Sequence, residues 1–394
     1  MDIYNYAHRL KLLEERIKLK VKNKKDREIF EKFKNECIAR GNSISRVIRY
    51  LEDLLVIYDI VRNKIELEKS LDSLNIDDVK RIVAEIEQSD YAETTKYCFK
   101  VTLKRFFKII RNVENGNPPE VSWFRLTEKF KNKKLPEDLL TEEDIIKLVK
   151  SADTPRDKAL VFVLYESGCR ISEILTLKIK NIKFDDYGAV LVVDGKTGQR
   201  RIRIVSSAPY IKEWLNNYQD SDNPDALLFP LRYDQIRYIL GKLKKKCNIK
   251  KKVNPHNFRH SRATFLANYL TESQMKQYFG WTQSSEMASV YVHLSGRDID
   301  NSLLKLYGIE VKSNDVKTAI KPKICFRCQE VNPPTNEFCK KCGNTLDIEK
   351  DIERIREDTK RELVDNIMNE LIKDSEFCEM LRKKIREIKK KLKT

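Results

Sequence analysis

The stretch PHNFRHSRATFLANYLTESQMKQYFGWTQSSEMASVY, Pro255–Tyr291, is the segment around which the chain is expected to fold. It opens with His256 and Arg259, passes through Trp281 and ends at Tyr291. Arginine binds phosphate through forked hydrogen bonds, and a tyrosine hydroxyl is a possible nucleophile. The order of these residue types therefore predicts chemistry on a phosphate group.

The chain carries a strong positive charge. Its 394 residues include 78 Lys+Arg against 60 Asp+Glu, which gives a formal net charge of +18. That balance favours a polyanion such as nucleic acid as partner. The high acid count also fits the Lys- and Glu-rich surface of thermophilic proteins, so charge alone leaves both interpretations open.

The sequence predicts a cytoplasmic protein with no membrane partner. It has no run of about 18 apolar residues, the length a membrane span needs. The N-terminal segment MDIYNYAHRLKLLEERIK has no apolar core followed by a small-residue cleavage site, so a signal peptide is not expected. The nine cysteines are odd in number and four cluster near the C-terminus, which favours a reducing compartment and a metal site over disulfides.

The first part of the chain, residues 1–112, is predicted to be a small helical domain. Apolar residues recur there at spacings of three and four. The segment TTKYCFKVTLKRFFKIIR places an apolar stripe beside four basic residues, Lys100, Lys104, Arg105 and Lys108. These four are candidate DNA contacts, or simply a solvated surface. Residues 113–134 contain Gly, two Pro and a basic run, and are predicted to be a linker.

The next segment, residues 135–308, is predicted to hold helices and one hairpin. The apolar run Ala159–Tyr165 indicates a buried helix that ends before Arg170. An arginine at such a junction needs an anionic partner, either a ligand or Glu173 one turn on. The segment GAVLVVDGKTGQRRIRIVSS is typical of two strands joined by a tight turn, with Lys196 at the tip. Residues 206–250 are predicted to be helical, and a further helix is predicted near Asp298.

The C-terminal part contains two short cysteine pairs. The sequence ICFRCQEVNPPTNEFCKKCG has the spacing CxxC, ten residues, CxxC, formed by Cys325, Cys328, Cys339 and Cys342. Two such pairs can form a tetrahedral four-sulfur cage, which predicts a structural zinc ribbon at 324–346. Residues 309–323 are predicted to be a connector and 347–394 a charged C-terminal helix.

Six residues can be combined into one catalytic set: Arg170, Lys196, His256, Arg259, Trp281 and Tyr291. Two arginines can clamp the non-bridging oxygens of a phosphodiester and stabilise the charge of the transition state, so no catalytic metal is needed. A tyrosine with an ordinary pKa of about 10 needs a cationic field and a base. His256 can be that base or a partner of the phosphate, Lys196 can protonate the leaving oxygen, and Trp281 can pack on the tyrosine segment.

The sequence resembles the tyrosine recombinase, or phage integrase, family over about residues 20–308. SGCRISEILTLKIKNI resembles the family's first arginine box and GKTGQRRIRI its lysine hairpin. PHNFRHSRAT resembles its His-x-x-Arg box, and GWTQSSEMASVYVHLSG the segment that carries the nucleophile. Trp281 stands where most members have histidine, and with the YVHLSG segment it is most similar to archaeal Xer or integrase-type members. The zinc ribbon and the tail lie outside the resemblance.

The resemblance implies a fold that is mainly α with a small antiparallel sheet (α+β). It implies a helical core-binding domain and a catalytic domain that together clamp double-stranded DNA. It implies catalytic roles for the six residues, with Tyr291 as nucleophile, and strand exchange through a 3′-phosphotyrosyl link without ATP. Four protomers would act on two duplexes, with the helix around Ile299–Leu306 as the arm that docks on a neighbour.

Three alternatives remain open from the sequence. The segment LTESQMKQYFGWTQSS resembles a helix-turn-helix, which would suit a DNA-binding regulator with Trp281 and Tyr291 as core residues. A type IB topoisomerase would share the chemistry and relax DNA without exchanging partners. A decayed integrase would keep only an architectural role, although the complete residue set argues against this.

Overall fold

The computed structural model describes residues 2–127, 136–195, 197–294, 307 and 320–391. The chain divides into two compact units. The first comprises Met1–Leu135 with Arg232–Asp234, and the second Pro136–Leu231 with Gln235–Thr394. The finer domain bounds derived from the sequence stay predictions.

The first unit is helical, as predicted. Its helices are α1 (Tyr6–Lys20), α2 (Lys24–Ala39), α3 (Ile44–Asp59), α4 (Ile76–Gln88), α5 (Glu93–Ile110) and the short α6 (Pro119–Ser122). Helix α3 continues into one π-helical turn, Ile60–Lys64. The helices bury a shared apolar core whose largest members include Phe33, Leu51, Leu54, Phe106 and Phe107.

Part of the predicted linker belongs to this core. Val121 and Phe124 are buried among the helices of the first unit. The apolar side chains of this short segment cover the helical core, so the segment around α6 is ordered by burial although its Pro and Gly content resembles that of a spacer.

The second unit combines helices with one small sheet, as the fold class predicts. Its helices up to the ribbon are α7 (Glu142–Lys150), α8 (Pro155–Ser167), α9 (Ile171–Leu175), α10 (Ala208–Leu215), α11 (Tyr233–Lys246), α12 (Pro255–Leu266), α13 (Glu272–Phe279) and α14 (Met287–Leu294). The prediction that residues 206–250 are helical is confirmed in α10 and α11 and is wrong for the segment between them. The helix predicted near Asp298, with its docking arm Ile299–Leu306, lies outside the described residues.

The sheet has three antiparallel strands in sequence order: β1 (Ile182–Asp185), β2 (Gly188–Gly195) and β3 (Gly198–Ile204). The β2–β3 hairpin is confirmed, and its last described pair is Gly195 with Gly198. Strand β1 was not predicted, because only one of its four side chains is even partly buried and no alternation marks it.

The C-terminal part begins with a small two-stranded ribbon, β4 (Lys323–Ile324) and β5 (Val331–Asn332). The tail was predicted as one helix but consists of two, α15 (Ile348–Leu371) and α16 (Ser375–Lys391). The carboxylate of Asp374 accepts hydrogen bonds from the backbone N–H groups of Glu376 and Phe377, so it caps a new helix and ends the old one. Within the described part of the chain, every helix is too short or too polar to cross a membrane.

Candidate active site

The first arginine of the predicted set lies where α8 gives way to α9. Arg170 is the N-cap of α9, and its backbone N–H donates to Glu173 Oε2 at 2.8 Å. Its Nη1 donates to Glu173 Oε1 at 2.9 Å and its Nη2 to the carbonyl of Gly280 at 2.9 Å. The prediction of Glu173 as partner of Arg170 is confirmed. About 30% of the Arg170 side chain stays exposed, which leaves it accessible to a ligand.

A second arginine, Arg200, shares the same carboxylate and was missed by the sequence reasoning. Its two Nη atoms donate to the two Glu173 oxygens at 2.9 and 2.7 Å, and its Nε donates to the Tyr278 carbonyl at 2.9 Å. The signal was present in β3, because a period of two places Arg200 on the same face as the buried Ile202 and Ile204. Glu173 therefore anchors two guanidinium groups from two different elements.

Replacing Glu173 by glutamine is expected to destabilise the fold by about 3 to 5 kcal/mol, because two partly buried arginines would lose their counter-charge. Burial raises the pKa of Glu173, but the hydrogen bonds from Arg200 and Arg170 outweigh it and hold the pKa below its usual value. The stabilisation that the Glu173 carboxylate contributes to the fold is therefore fully present above the usual glutamate pKa. It is lost as the pH falls through the lowered pKa of the folded protein. Chemical denaturation at neutral pH measures the change.

The matched control is Glu272→Gln. Glu272 pairs with Lys276 on the surface of α13 and its side chain is 46% exposed. An exposed pair of this kind contributes about 0 to 1 kcal/mol. Equal stability losses in the two variants would contradict the anchoring role of Glu173.

The arginine of the His-x-x-Arg box is buried beside two further carbonyl groups at the ends of α8 and α13. On α12, Arg259 donates from Nη1 to the Gly168 carbonyl at 2.9 Å and from Nη2 to the Phe279 carbonyl at 2.6 Å. Its guanidinium carbon lies 5.1 Å from the ring centre of Phe279 and 5.6 Å from that of Trp281. Burial, followed by the charge of Arg170, lowers the pKa of Arg259 to about 10. A bound anion would relieve both effects.

Two glycines make this arrangement possible. Gly168 ends α8 with φ 56°, and a Cβ there would lie 2.5 Å from the ring of Phe279. Gly280 ends α13 with φ 59°, and a Cβ there would lie 2.9 Å from Arg200 Nη1. Both positions need the left-handed backbone and leave no space for a side chain, so the carbonyl groups that hold the arginines depend on glycine.

The tyrosine lies against the tryptophan that precedes it by ten residues. The rings of Trp281 and Tyr291 are parallel within 3° with centres 5.6 Å apart, and Trp281 also stacks on Phe279 at 4.9 Å. Tyr291 is only 4% exposed. Burial raises its pKa to about 12, partly opposed by the charge of Arg259. Deprotonation of this hydroxyl near neutral pH therefore requires a base in contact with it.

Such a base lies next to the hydroxyl. Nδ1 of His260, a residue that the sequence reasoning did not single out, forms a hydrogen bond with the Tyr291 hydroxyl. Its Nε2 lies 2.7 Å from Nε2 of the exposed His256. The two histidines are four residues apart on α12, a spacing that places them on one helix face and could have pointed to the pair.

Five of the six predicted residues lie in one contact network. Arg170 and Arg259 are held by the consecutive carbonyls of Gly280 and Phe279, Trp281 packs between Arg259 and Tyr291, and His256 reaches Tyr291 through His260. The sixth, Lys196, lies outside the described residues. Its neighbour Thr197 donates from Oγ1 to the Gly280 carbonyl at 3.3 Å.

The four predicted DNA contacts on α5 are only partly exposed. Lys100 forms an ion pair with Glu87, and Lys104 donates to the Phe124 carbonyl and lies 4.6 Å from the centre of its ring. Lys108 and Arg105 are half-buried. Lys100 and Lys104 therefore already have partners within the unit. DNA binding by the four residues stays a prediction.

The four cysteines of the ribbon lie together. The sulfur atoms of Cys325, Cys328, Cys339 and Cys342 are all within 4.8 Å of one another. Cys325 lies 3.6 Å from Cys342 and Cys328 lies 3.6 Å from Cys339 between sulfurs. Four thiolates at this spacing can hold one metal ion.

The ribbon also contacts the helices of the second unit. The hydroxyl of Tyr210 on α10 forms a hydrogen bond with Thr335 Oγ1, and Ser206 Oγ donates to the Ile320 carbonyl at 2.6 Å. Tyr210 is 1% exposed and stacks on Phe162 of α8 at 4.6 Å. The ribbon thus covers a residue that packs on the helix leading to Arg170.

Comparison with known proteins gives the family. Residues 138–297 match the phage integrase family. Over this segment the chain is similar to the family of tyrosine recombinases. It is 26% identical over 246 residues to tyrosine recombinase XerA of Pyrococcus horikoshii, covering 59% of this chain and 81% of that protein. It is 27% identical over 250 residues to tyrosine recombinase XerC of Listeria monocytogenes, covering 58% and 80%.

Solved structures of tyrosine recombinases share the fold. The Tn1549 transposon integrase, solved in complex with circular intermediate DNA, matches with a TM-score of 0.52 at 17% identity, over 72% of this chain and 99% of that one. A lambda integrase dimer bound to a core site matches with a TM-score of 0.51 at 16% identity, over 69% and 78%. Relatives from Pyrococcus and Listeria are similarly distant, so the archaeal affinity stays a prediction.

Proposed function

We propose that this protein is a site-specific DNA recombinase, or integrase. It cleaves and rejoins DNA strands through a 3′-phosphotyrosyl intermediate, and neither ATP nor a metal takes part in the chemistry. One observation carries the proposal. Arg170 and Arg259 are held side by side by consecutive carbonyls, next to a tyrosine that is stacked on Trp281 and contacted by a histidine.

Each side chain has a proposed role. Arg170 and Arg259 bind the non-bridging oxygens of the scissile phosphate and stabilise its charge in the transition state. The Tyr291 hydroxyl attacks the phosphorus, and the 5′-oxygen departs with a proton from Lys196. His256, exposed at the edge of the network, hydrogen-bonds the phosphate or serves as base. Trp281 fixes the plane of the Tyr291 ring.

The partner is double-stranded DNA, and the proposed active assembly is a homotetramer on two duplexes in the cytoplasm. The net charge of +18 supports a nucleic-acid partner, and a related lambda integrase was solved as a dimer on a core site. The basic residues Lys100, Lys104, Arg105 and Lys108 are proposed to add contacts from the helical unit.

A nicked suicide duplex tests this function. When cleavage releases a short fragment with the 5′-hydroxyl, religation is prevented and the covalent protein–DNA adduct accumulates. The adduct should carry the tyrosine on the 3′-phosphate, and the released end should accept phosphate from a polynucleotide kinase. An inactive wild-type protein would support the regulator alternative, and plasmid relaxation without exchange would support the topoisomerase.

We further propose that the metal held by the four cysteines is structural zinc. A ribbon of this size has little apolar core, so its fold depends on the metal. Removal of the metal with a chelator, or a Cys325→Ser substitution, is expected to lower the melting temperature of the second unit, because the ribbon covers Tyr210. Elemental analysis should find about one zinc per chain.

The matched control for the metal prediction is Cys247→Ser. Cys247 is half-buried beside α7, outside the ribbon, so this variant should retain the zinc and melt close to the wild-type temperature. A chelator-treated protein that melts like the untreated one would contradict the structural role of the metal.

A further inference from the structure

The nucleophile contacts a histidine other than the one in the family's box. The Tyr291 hydroxyl hydrogen-bonds Nδ1 of His260, and the other ring nitrogen of His260 faces His256 at 2.7 Å. On the basis of the proposed function, we propose that His260 is the general base that accepts the proton of Tyr291. His256 then acts on the phosphate side.

The hydrogen bonds define the protonation states that this role requires. To accept from the neutral tyrosine hydroxyl, Nδ1 of His260 must be unprotonated, so its proton lies on Nε2. That Nε2–H donates to Nε2 of His256, and His256 in turn carries its proton on Nδ1. The chain of donors therefore runs from Tyr291 through His260 to the exposed His256.

The proposed step balances as follows. The O–H bond of Tyr291 breaks as its oxygen bonds to phosphorus, and the proton passes to Nδ1 of His260. The bond from phosphorus to the 5′-oxygen breaks, and that oxygen takes a proton from a separate acid, proposed above as Lys196. In religation the DNA 5′-hydroxyl returns its proton to that same acid, now deprotonated, and attacks phosphorus as the bond from phosphorus to the Tyr291 oxygen breaks. The departing Tyr291 oxygen recovers its proton from the His260 imidazolium.

The burial and the positions of His260 and His256 support these separate roles. Tyr291 is 4% exposed and His260 is half-buried, whereas His256 is exposed. The inner histidine thus contacts the shielded hydroxyl, and the outer histidine is accessible to DNA. The parallel stack on Trp281 restricts the Tyr291 ring, so the hydroxyl stays in reach of the inner histidine.

Two substitutions at His260 separate proton transfer from positioning. In His260→Asn the amide oxygen can still accept a hydrogen bond near the place of Nδ1 but cannot take up a proton. Both His260→Asn and His260→Ala are expected to slow cleavage of the suicide duplex by about 100-fold or more, the range typical of a lost general base. The control His8→Ala removes an exposed histidine of the first unit and should cleave at the wild-type rate. Thermal melting checks that each variant is folded.

Two further measurements show whether His260 accepts the proton of Tyr291 or donates a proton to the departing 5′-oxygen. A duplex with a bridging 5′-phosphorothiolate has a leaving group that needs no acid. It should rescue Lys196→Ala but leave the His260 variants slow. Added imidazole should partly restore His260→Ala, where it can occupy the vacated space, and should not restore His260→Asn.

Several outcomes would overturn the proposal while leaving the recombinase function intact. One is a wild-type cleavage rate in His260→Asn, which would reduce His260 to a positioning residue. Another is full rescue of His260→Ala by the phosphorothiolate duplex, which would make it the acid. Failure of the wild-type protein to form any adduct would refute the recombinase function itself, which is a different result.

Discussion

A Tyr291→Phe protein is expected to form no covalent adduct with the suicide duplex, while its affinity for the same DNA stays within a few-fold of the wild type. The substitution removes one oxygen atom and keeps the ring, which stacks on Trp281 and belongs to a buried apolar cluster with Ala288 and Met275. The hydroxyl is the only part of this side chain that can bond to phosphorus. Gel analysis of the adduct and a DNA-binding titration measure the two properties.

Tyr238→Phe is the control for this variant. Tyr238 lies on α11 with 75% of its surface exposed, so the loss of its hydroxyl should change neither binding nor cleavage. An adduct that persists in Tyr291→Phe would transfer the nucleophile to another residue and remove the central element of the proposed mechanism.

The second large effect is expected at Arg259, where lysine should lower the cleavage rate by about 100- to 1000-fold, the cost of losing one preorganised donor group. Lysine keeps the positive charge but lacks the planar fork that reaches the carbonyls of Gly168 and Phe279 together. The loss should reduce the rate of the cleavage step and affect DNA affinity only weakly, because the proposed DNA contacts also include basic residues of the helical unit.

Single-turnover cleavage at saturating protein measures this loss separately from binding. Arg203→Lys is the matched control, since Arg203 pairs with Asp185 on the exposed face of β3 and is 43% exposed. An Arg259→Lys protein with the wild-type cleavage rate would show that charge alone suffices at this position.

Local sequence rules were sufficient where neighbours in sequence are also neighbours in space. Thr141 and Asp144 form the capping box that starts α7, as their spacing predicts. Arg170 and Glu173 pair within one turn, and the β2–β3 hairpin follows from its alternating apolar residues. The order of chemically distinctive residues also predicted five residues that lie in one contact network, while their catalytic roles stay predictions.

Residues that act through distant partners were harder to predict. Arg200 meets Glu173 across 27 positions and His260 meets Tyr291 across 31, and the local patterns at Arg200 and His260 do not identify these distant partners. At the break in the tail, the side chain of Asp374 caps the second helix, in a sequence that otherwise suits one long helix. Such features are fixed by tertiary packing and by competition between caps, not by periodicity.

The hydrogen bonds that hold Arg170 and Arg259 have a consequence for how this site can change during evolution. Apart from the contact of Arg170 with Glu173, both arginines are oriented by main-chain carbonyls, so substitutions of most other side chains around them leave those acceptors in place. Gly168 and Gly280 are the exceptions, since any side chain would collide with Phe279 or Arg200. We therefore expect the side chains around Arg170 and Arg259 to tolerate wide variation during evolution, whereas glycine should be retained at positions 168 and 280.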